Sequence, residues 1–161
     1  MPPLIPLTAS LFLVTAIRAA LGIGAFAALL AVHGDDQPLR IAFVGAAGLM
    51  TIAALSRARS SSHFELRVGA EPWPPDARRA SWPRIALRVA YPSTIGLAVL
   101  IAIGAPINAI LGTLLAGFEL GLGLMSLALG AENAYWESRA GSAVWYAPGA
   151  GARFFARPRD P

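Results

Sequence analysis

The chain contains no cysteine and no lysine. The first absence excludes disulfides, thiol nucleophiles, iron–sulfur clusters and thiolate metal sites. The second leaves arginine as the source of all 13 basic residues; with abundant Ala, Gly and Pro, this points to GC-rich coding and a bacterial source. Charge is scarce as well. Only 14% of the 161 residues are charged and 56% are hydrophobic, which is too apolar for an ordinary soluble domain. A single membrane domain covering 1–161 is the natural organisation. The net charge of +4 and pI near 10.6 would suit nucleic acid, but the arginines flank apolar runs. Membrane orientation and anionic headgroups account for that placement, and no nucleic-acid partner is expected.

What the chain does have is long apolar runs. Four spans are predicted, at residues 10–32, 39–56, 85–104 and 107–130, giving an all-α membrane protein of two helical hairpins. The first ends at the polar turn His33-Gly34-Asp35-Asp36-Gln37-Pro38. The second is short, about 26 Å of rise. The last two divide one apolar stretch that is too long for a single crossing, and Gly104-Ala105-Pro106 supplies the break. The loop 57–84 carries Arg57, Arg59, Arg67, Arg78, Arg79 and Arg84, and the tail 131–161 adds Arg139, Arg153, Arg157 and Arg159. The opposite turns hold Arg40 and the acidic pair Asp35 and Asp36. By the positive-inside rule both termini face the cytoplasm of a plasma membrane. No basic residue precedes the first apolar run and Arg18 interrupts it, so this segment reads as a retained span, not a signal peptide.

The inner loop is mostly linker, since Ser60-Ser61-Ser62 and Pro72-Trp73-Pro74-Pro75 disfavour regular structure. The alternation Phe64, Leu66, Val68 suits a short strand or an extended segment on the bilayer. Trp73, Trp82, Trp136 and Trp145, with Arg153 and Arg157, have the chemistry of an inner-interface anchor: rings at headgroup level, guanidinium groups towards anionic lipid.

Glu119 is the outlying residue. It stands in the middle of the fourth apolar run, where a carboxylate costs roughly 2.5–3.5 kcal/mol on insertion scales and therefore faces a bundle interior or a pathway. Asn108, Gly112, Ala116, Glu119, Gly123, Ser126 and Gly130 share one stripe at steps of three, four or seven. The opposite side carries the Gly-x-x-x-Gly pair Gly117 and Gly121. Small residues allow close approach of neighbouring helices, so this helix is expected between neighbours, one of which belongs to this bundle or to a second copy. Arg18 lies about 21 Å and Glu119 about 18 Å from the outer surface at 1.5 Å per residue. Matched depth makes them candidates for a buried pair, with snorkelling as the alternative for Arg18. Arg88 is expected to snorkel. Pro92 cannot donate to the Arg88 carbonyl, so a kink is expected there, with Ser93 and Thr94 near the freed backbone. Ile17-Arg18-x-Ala20 echoes Leu87-Arg88-x-Ala90, and Leu49-Met50-Thr51 echoes Leu124-Met125-Ser126, as a duplicated hairpin would.

Enzymatic signals are weak. His33 and His63 fall on opposite sides of the predicted membrane, and no nucleophile, base and orienting group share one side. His33 with Asp35 and Asp36 is better read as a solvated turn than as a metal site, and there is no glycine-rich phosphate cradle. No catalytic residue, metal or cofactor is therefore expected. The leading expectation is a non-enzymatic assembly or complex subunit with a polar centre formed by Glu119, Arg18, Asn108 and Ser126, partnered by lipid and by a second copy or another membrane subunit. The alternative is a small proton- or ion-coupled transporter or channel using Glu119; a lipid-modifying enzyme is a weaker third. Reporter fusions after Arg59 and at the C-terminus should read cytoplasmic and one at Gly34 external; an external reading for the central loop would overturn this map.

Overall fold

A computed structural model of the chain describes residues 3–34, 36–60, 70–90, 92–147 and 153–158. In chain order the elements are β1 (Ile5–Pro6), α1 (Leu7–His33), α2 (Gln37–Ser60), β2 (Glu71–Pro72), α3 (Trp82–Ala90), α4 (Ser93–Ile107), α5 (Ala109–Ala140), β3 (Ser142–Ala147) and β4 (Arg153–Pro158). The fold is mainly helical. Three helices, α1, α2 and α5, are long and apolar enough to cross a membrane; α3 and α4 together make a fourth if the bent pair is one span.

Helices α1 and α2 run a few residues beyond the expected bounds and α3 starts at Trp82, and three further differences each have a local cause. The span expected at 85–104 is two helices, bent by 59° at the Pro92 break. Pro92 has no N–H for the Arg88 carbonyl, and its ring crowds the turn before it. At the other end, α4 runs through Pro106 to Ile107, and the division falls at Asn108. Asn108 is extended, and its side chain accepts from the Ile110 and Leu111 amides, capping α5. Finally, α5 continues to Ala140, well past the expected boundary at 130. Its 32 residues rise about 48 Å, more than the roughly 30 Å that a hydrocarbon core requires. Gly141 ends it with φ 61, a left-handed conformation that a side chain would strain. The alternation at Phe64, Leu66 and Val68 lies outside the described residues, as do His63, Arg67, Asp35, Tyr91 and Arg159.

The all-α expectation is corrected where the chain ends meet. The segment read as an interfacial tail forms a hairpin inside a four-stranded sheet of order β1-β3-β4-β2. β1 and β4 flank β3 in antiparallel register, with Ile5 opposite Tyr146 and Trp145 opposite Phe155, and β2 runs parallel to β4. The chain from Glu71 to Ala80 crosses this sheet like a strap. It leaves from β2 at one edge and returns at the other, where the Leu4 amide donates to Arg78 O (2.8 Å) and the Ala80 amide to Leu4 O (2.9 Å). Under the strap Trp73 and Ala77 pack on Leu4, Ala147, Phe155 and Trp145. Glu71 accepts two hydrogen bonds from Arg153, which tie β2 to β4 and hold the Glu71 carboxyl below its ordinary range. That tie is present near neutral pH and is lost as pH falls through the lowered value. Both chain ends and the strap thus gather at one end of the helices.

α5 is the central helix, and its glycines explain the packing. A Cβ on Gly117 would stand 2.6 Å from Phe43 O, and one on Gly121 2.6 Å from Ala47 O, both on α2. On the other stripe, a Cβ on Gly123 would meet Arg18 Cβ at 3.2 Å, and one on Gly130 would meet Leu11 and Phe12 of α1. Gly112 lies against Ala105 of α4, where a Cβ would come within 2.7 Å of the Ala105 Cα. The neighbour on the Gly-x-x-x-Gly face is therefore α2 of the same chain. Thr15 and Thr51 each bond a carbonyl of their own helix and reach an α5 carbonyl, Gly123 O and Gly121 O, at 3.2 Å. Phe26 of α1 and Phe43 of α2 stack at 4.1 Å and fill the wedge between those helices. Gly121→Leu should lower stability in detergent by about 1–3 kcal/mol through overpacking, whereas Gly48→Leu, with nothing within 4 Å of its Cβ position, should be near neutral. Equal melting shifts for the two variants would contradict the assigned α2–α5 contact.

Candidate functional site

Three helices bring one charge pair and two hydroxyls together in the apolar layer. Arg18 is the twelfth residue of α1, 8% exposed, and turned towards α5 and the start of α4. Its Nε donates to Thr94 Oγ1 (2.9 Å) and its Nη2 to Ser93 Oγ (2.7 Å). Glu119 on α5 is fully buried, with Oε1 3.8 Å from Arg18 Nε. That contact is an ion pair without a direct hydrogen bond. Neither Glu119 oxygen has a hydrogen-bond partner among the described residues, and the Thr94 hydroxyl lies beside the carboxylate.

The local sequence explains the arrangement. Pro92 starts α4 afresh, so Ser93 and Thr94 occupy its first turn, where two adjacent hydroxyls reach a neighbouring helix. Gly123, one turn beyond Glu119, lets α1 approach closely enough for the Arg18 stem to lie on α5. In lipid, a guanidinium held by one carboxylate and two hydroxyls is far cheaper than a lone one. Arg18 is thus directed inward to partners and does not snorkel.

Other expected site residues fall elsewhere. Asn108 caps α5 at the far end and is exposed, so it does not join Arg18 and Glu119. Ser126 is buried two turns along and donates to Leu122 O of its own helix. Arg88 is exposed on α3, while its sequence echo Arg18 is buried mid-helix, so the two do not occupy equivalent places. Trp73 and Trp145 meet edge to face at 5.2 Å within the strapped sheet, with Arg157 over the first ring and Arg79 over the second, each at 5.3 Å. Arg153 lies over Phe155 at 5.7 Å besides holding Glu71. Trp136 is half-buried near the end of α5, and Trp82 is 61% exposed at the start of α3.

A second polar group was missed. Asn133 and Glu137 are both buried; the Asn133 Nδ2 donates to Thr8 Oγ1 (2.6 Å) and to Glu137 Oε1 (3.1 Å), and the Val144 amide donates to the same Oε1 (2.8 Å). This group joins α1, α5 and β3. Its signal was in the sequence, because Asn133 and Glu137 continue the stripe of Glu119, Ser126 and Gly130 by the same helical steps. Comparison with protein-family models, with curated proteins and with solved structures finds no match for this chain.

A double-mutant cycle tests the pair. Arg18→Leu and Glu119→Leu should each cost about 3–5 kcal/mol of stability by stranding the other charge, and the double variant should recover part of the loss. Strictly additive losses would show that the two charges are not coupled.

Proposed function

We propose that this chain is a non-enzymatic, four-span protein of a bacterial inner membrane, both termini cytoplasmic, acting as an assembly or interaction subunit. The observation that carries this reading is the sealed geometry of Glu119: fully buried, opposite an arginine that is itself bonded to α4. Such a group fixes how three helices meet. Polar contacts between helices in lipid serve this purpose at roughly 1 kcal/mol each.

Four crossings follow if the bent α3–α4 pair is one span, and pairing of β1 with β3 brings both chain ends to one side. Arginine counting then makes that side cytoplasmic. Arg78, Arg79, Arg84 and Arg88 are exposed around α3 and suit anionic headgroups there.

A second reading rests on a separate observation. Both Glu119 oxygens lack hydrogen bonds among the described residues, which suits a carboxylate that takes up a proton during transport. Proteoliposomes separate the two. The assembly reading expects proton and cation flux no greater than in protein-free vesicles, and a stoichiometric complex after cross-linking in the native membrane. Flux that Glu119→Gln abolishes, while the variant folds normally, would replace it with the transporter reading.

A further inference from the structure

Several arginines at the sheet end of the helices are already engaged. Arg153 holds Glu71, Arg157 lies over Trp73 and Arg79 over Trp145, all within the strapped sheet. Arg84 and Arg88 of α3 differ. Both are exposed, and neither makes an ion pair among the described residues. Four residues apart, they stand one turn from each other on the same side of the helix. Leu87 and Trp82 are also turned outward, 65% and 61% exposed, while Ile85 (2%) is buried where α3 packs on α1.

Exposed chemistry changes in order along this part of the chain. α4 exposes Ile95, Val99, Leu100 and Ile103 and carries no charge. Beyond the Pro92 break, α3 is bent 59° from α4 and exposes apolar and basic side chains together. Arg78 follows, exposed on the strap. Apolar, then mixed, then basic is the order met on leaving the hydrocarbon of a bilayer for its headgroups. Of the two carboxylates in the strap, Glu71 is bound to Arg153, and only Asp76 stands against these arginines.

From this placement we propose that α3 is the element that recognises anionic phospholipid: Arg84 and Arg88 hold one headgroup phosphate between them, and Trp82 and Leu87 enter the layer beside it. Two guanidinium groups match a phosphate by charge and by their forked donors. An acidic protein surface would match the arginines as well, but not the exposed apolar side chains that continue from Ile95 to Leu87. The inference deepens the headgroup placement given above and rests on it only for a bilayer around these helices. It moves the lipid-binding arginines from the tail, where the sequence put them, to α3.

The test uses the whole chain in mild detergent and native mass spectrometry, with phosphatidylglycerol and phosphatidylcholine supplied in equal amounts. The wild type should retain phosphatidylglycerol in preference. Arg84→Gln and Arg88→Gln should each lower the ratio of the two lipids about fivefold, and together about twentyfold, the effect of removing basic residues from an anionic surface. Arg157→Gln, inside the sheet, should leave the ratio unchanged. An unchanged ratio in the α3 double variant overturns the proposal, whatever Arg157→Gln does. Equal retention of both lipids by the wild type overturns it too, and leaves an acidic protein surface as the partner of α3. Should a glutamine variant fail to fold, phosphatidylglycerol with a photoreactive headgroup, reconstituted with the wild type, decides the matter. Cross-links concentrated on residues 82–88 support the site; cross-links concentrated on residues 153–158 overturn it. Both readouts follow lipid alone, independent of ion flux, complex formation and which side is cytoplasmic, so failure here is separable from failure of the assembly reading.

Discussion

Lipid gives helices no hydrophobic reason to leave it for one another, so α1 and α2 hold to α5 only where backbones come close enough for dispersion contacts and weak polar bonds to add up. Gly117 and Gly121 provide that approach towards α2, Gly123 and Gly130 towards α1, and Gly112 towards α4. The other features of the bundle follow from it. The Thr15 and Thr51 hydroxyls reach carbonyls of α5 only because the helices are this close. The Arg18 stem can lie against α5 for the same reason. Where α2 and α4 have no such contact, the bundle stays open.

The polar centre depends on a defect in the third apolar segment. An unbroken helix would bond its own backbone and bury its hydroxyls in its own turns, as Ser126 does with Leu122. Pro92 restarts the helix instead, and the two hydroxyls after it turn to Arg18. The burial of Glu119 is then tolerable because a cation lies 3.8 Å away. An arginine on α1, a carboxylate on α5 and a proline on the third segment thus form one arrangement, and each would be costly in lipid without the others.

The sheet performs for one end of the helices what the polar centre performs between them. Short strands and loops leave backbone groups to satisfy, and here β1, the β3–β4 hairpin and one loop satisfy them mutually. The strap fastens both edges, Trp73 and Trp145 meet beneath it, and Glu137 carries the end of α5 onto β3 through the Val144 amide. Aromatic and arginine residues of this region are therefore partly spent on each other, which an anchor reading of the same residues did not anticipate.

Much of the helical part was legible in the chain. Long apolar runs locate the helices, because only an internally bonded backbone is tolerated at membrane depth. Helical spacing placed small residues on both sides of α5, and depth alone matched Arg18 with Glu119. What the sequence could not reach was set by contacts between distant segments. Asn108 looked like part of the centre because it shares a stripe with Glu119, yet it serves as a cap, since the chain reverses there and leaves the first amides of α5 without partners. The sheet was invisible because its strands, two to six residues long, come from segments far apart in sequence and carry too little alternation to be read singly. Whether Arg18 turned to lipid or to α4 was likewise a tertiary matter: its stem is long enough for either, and the position of Ser93 and Thr94 after the proline break decided it.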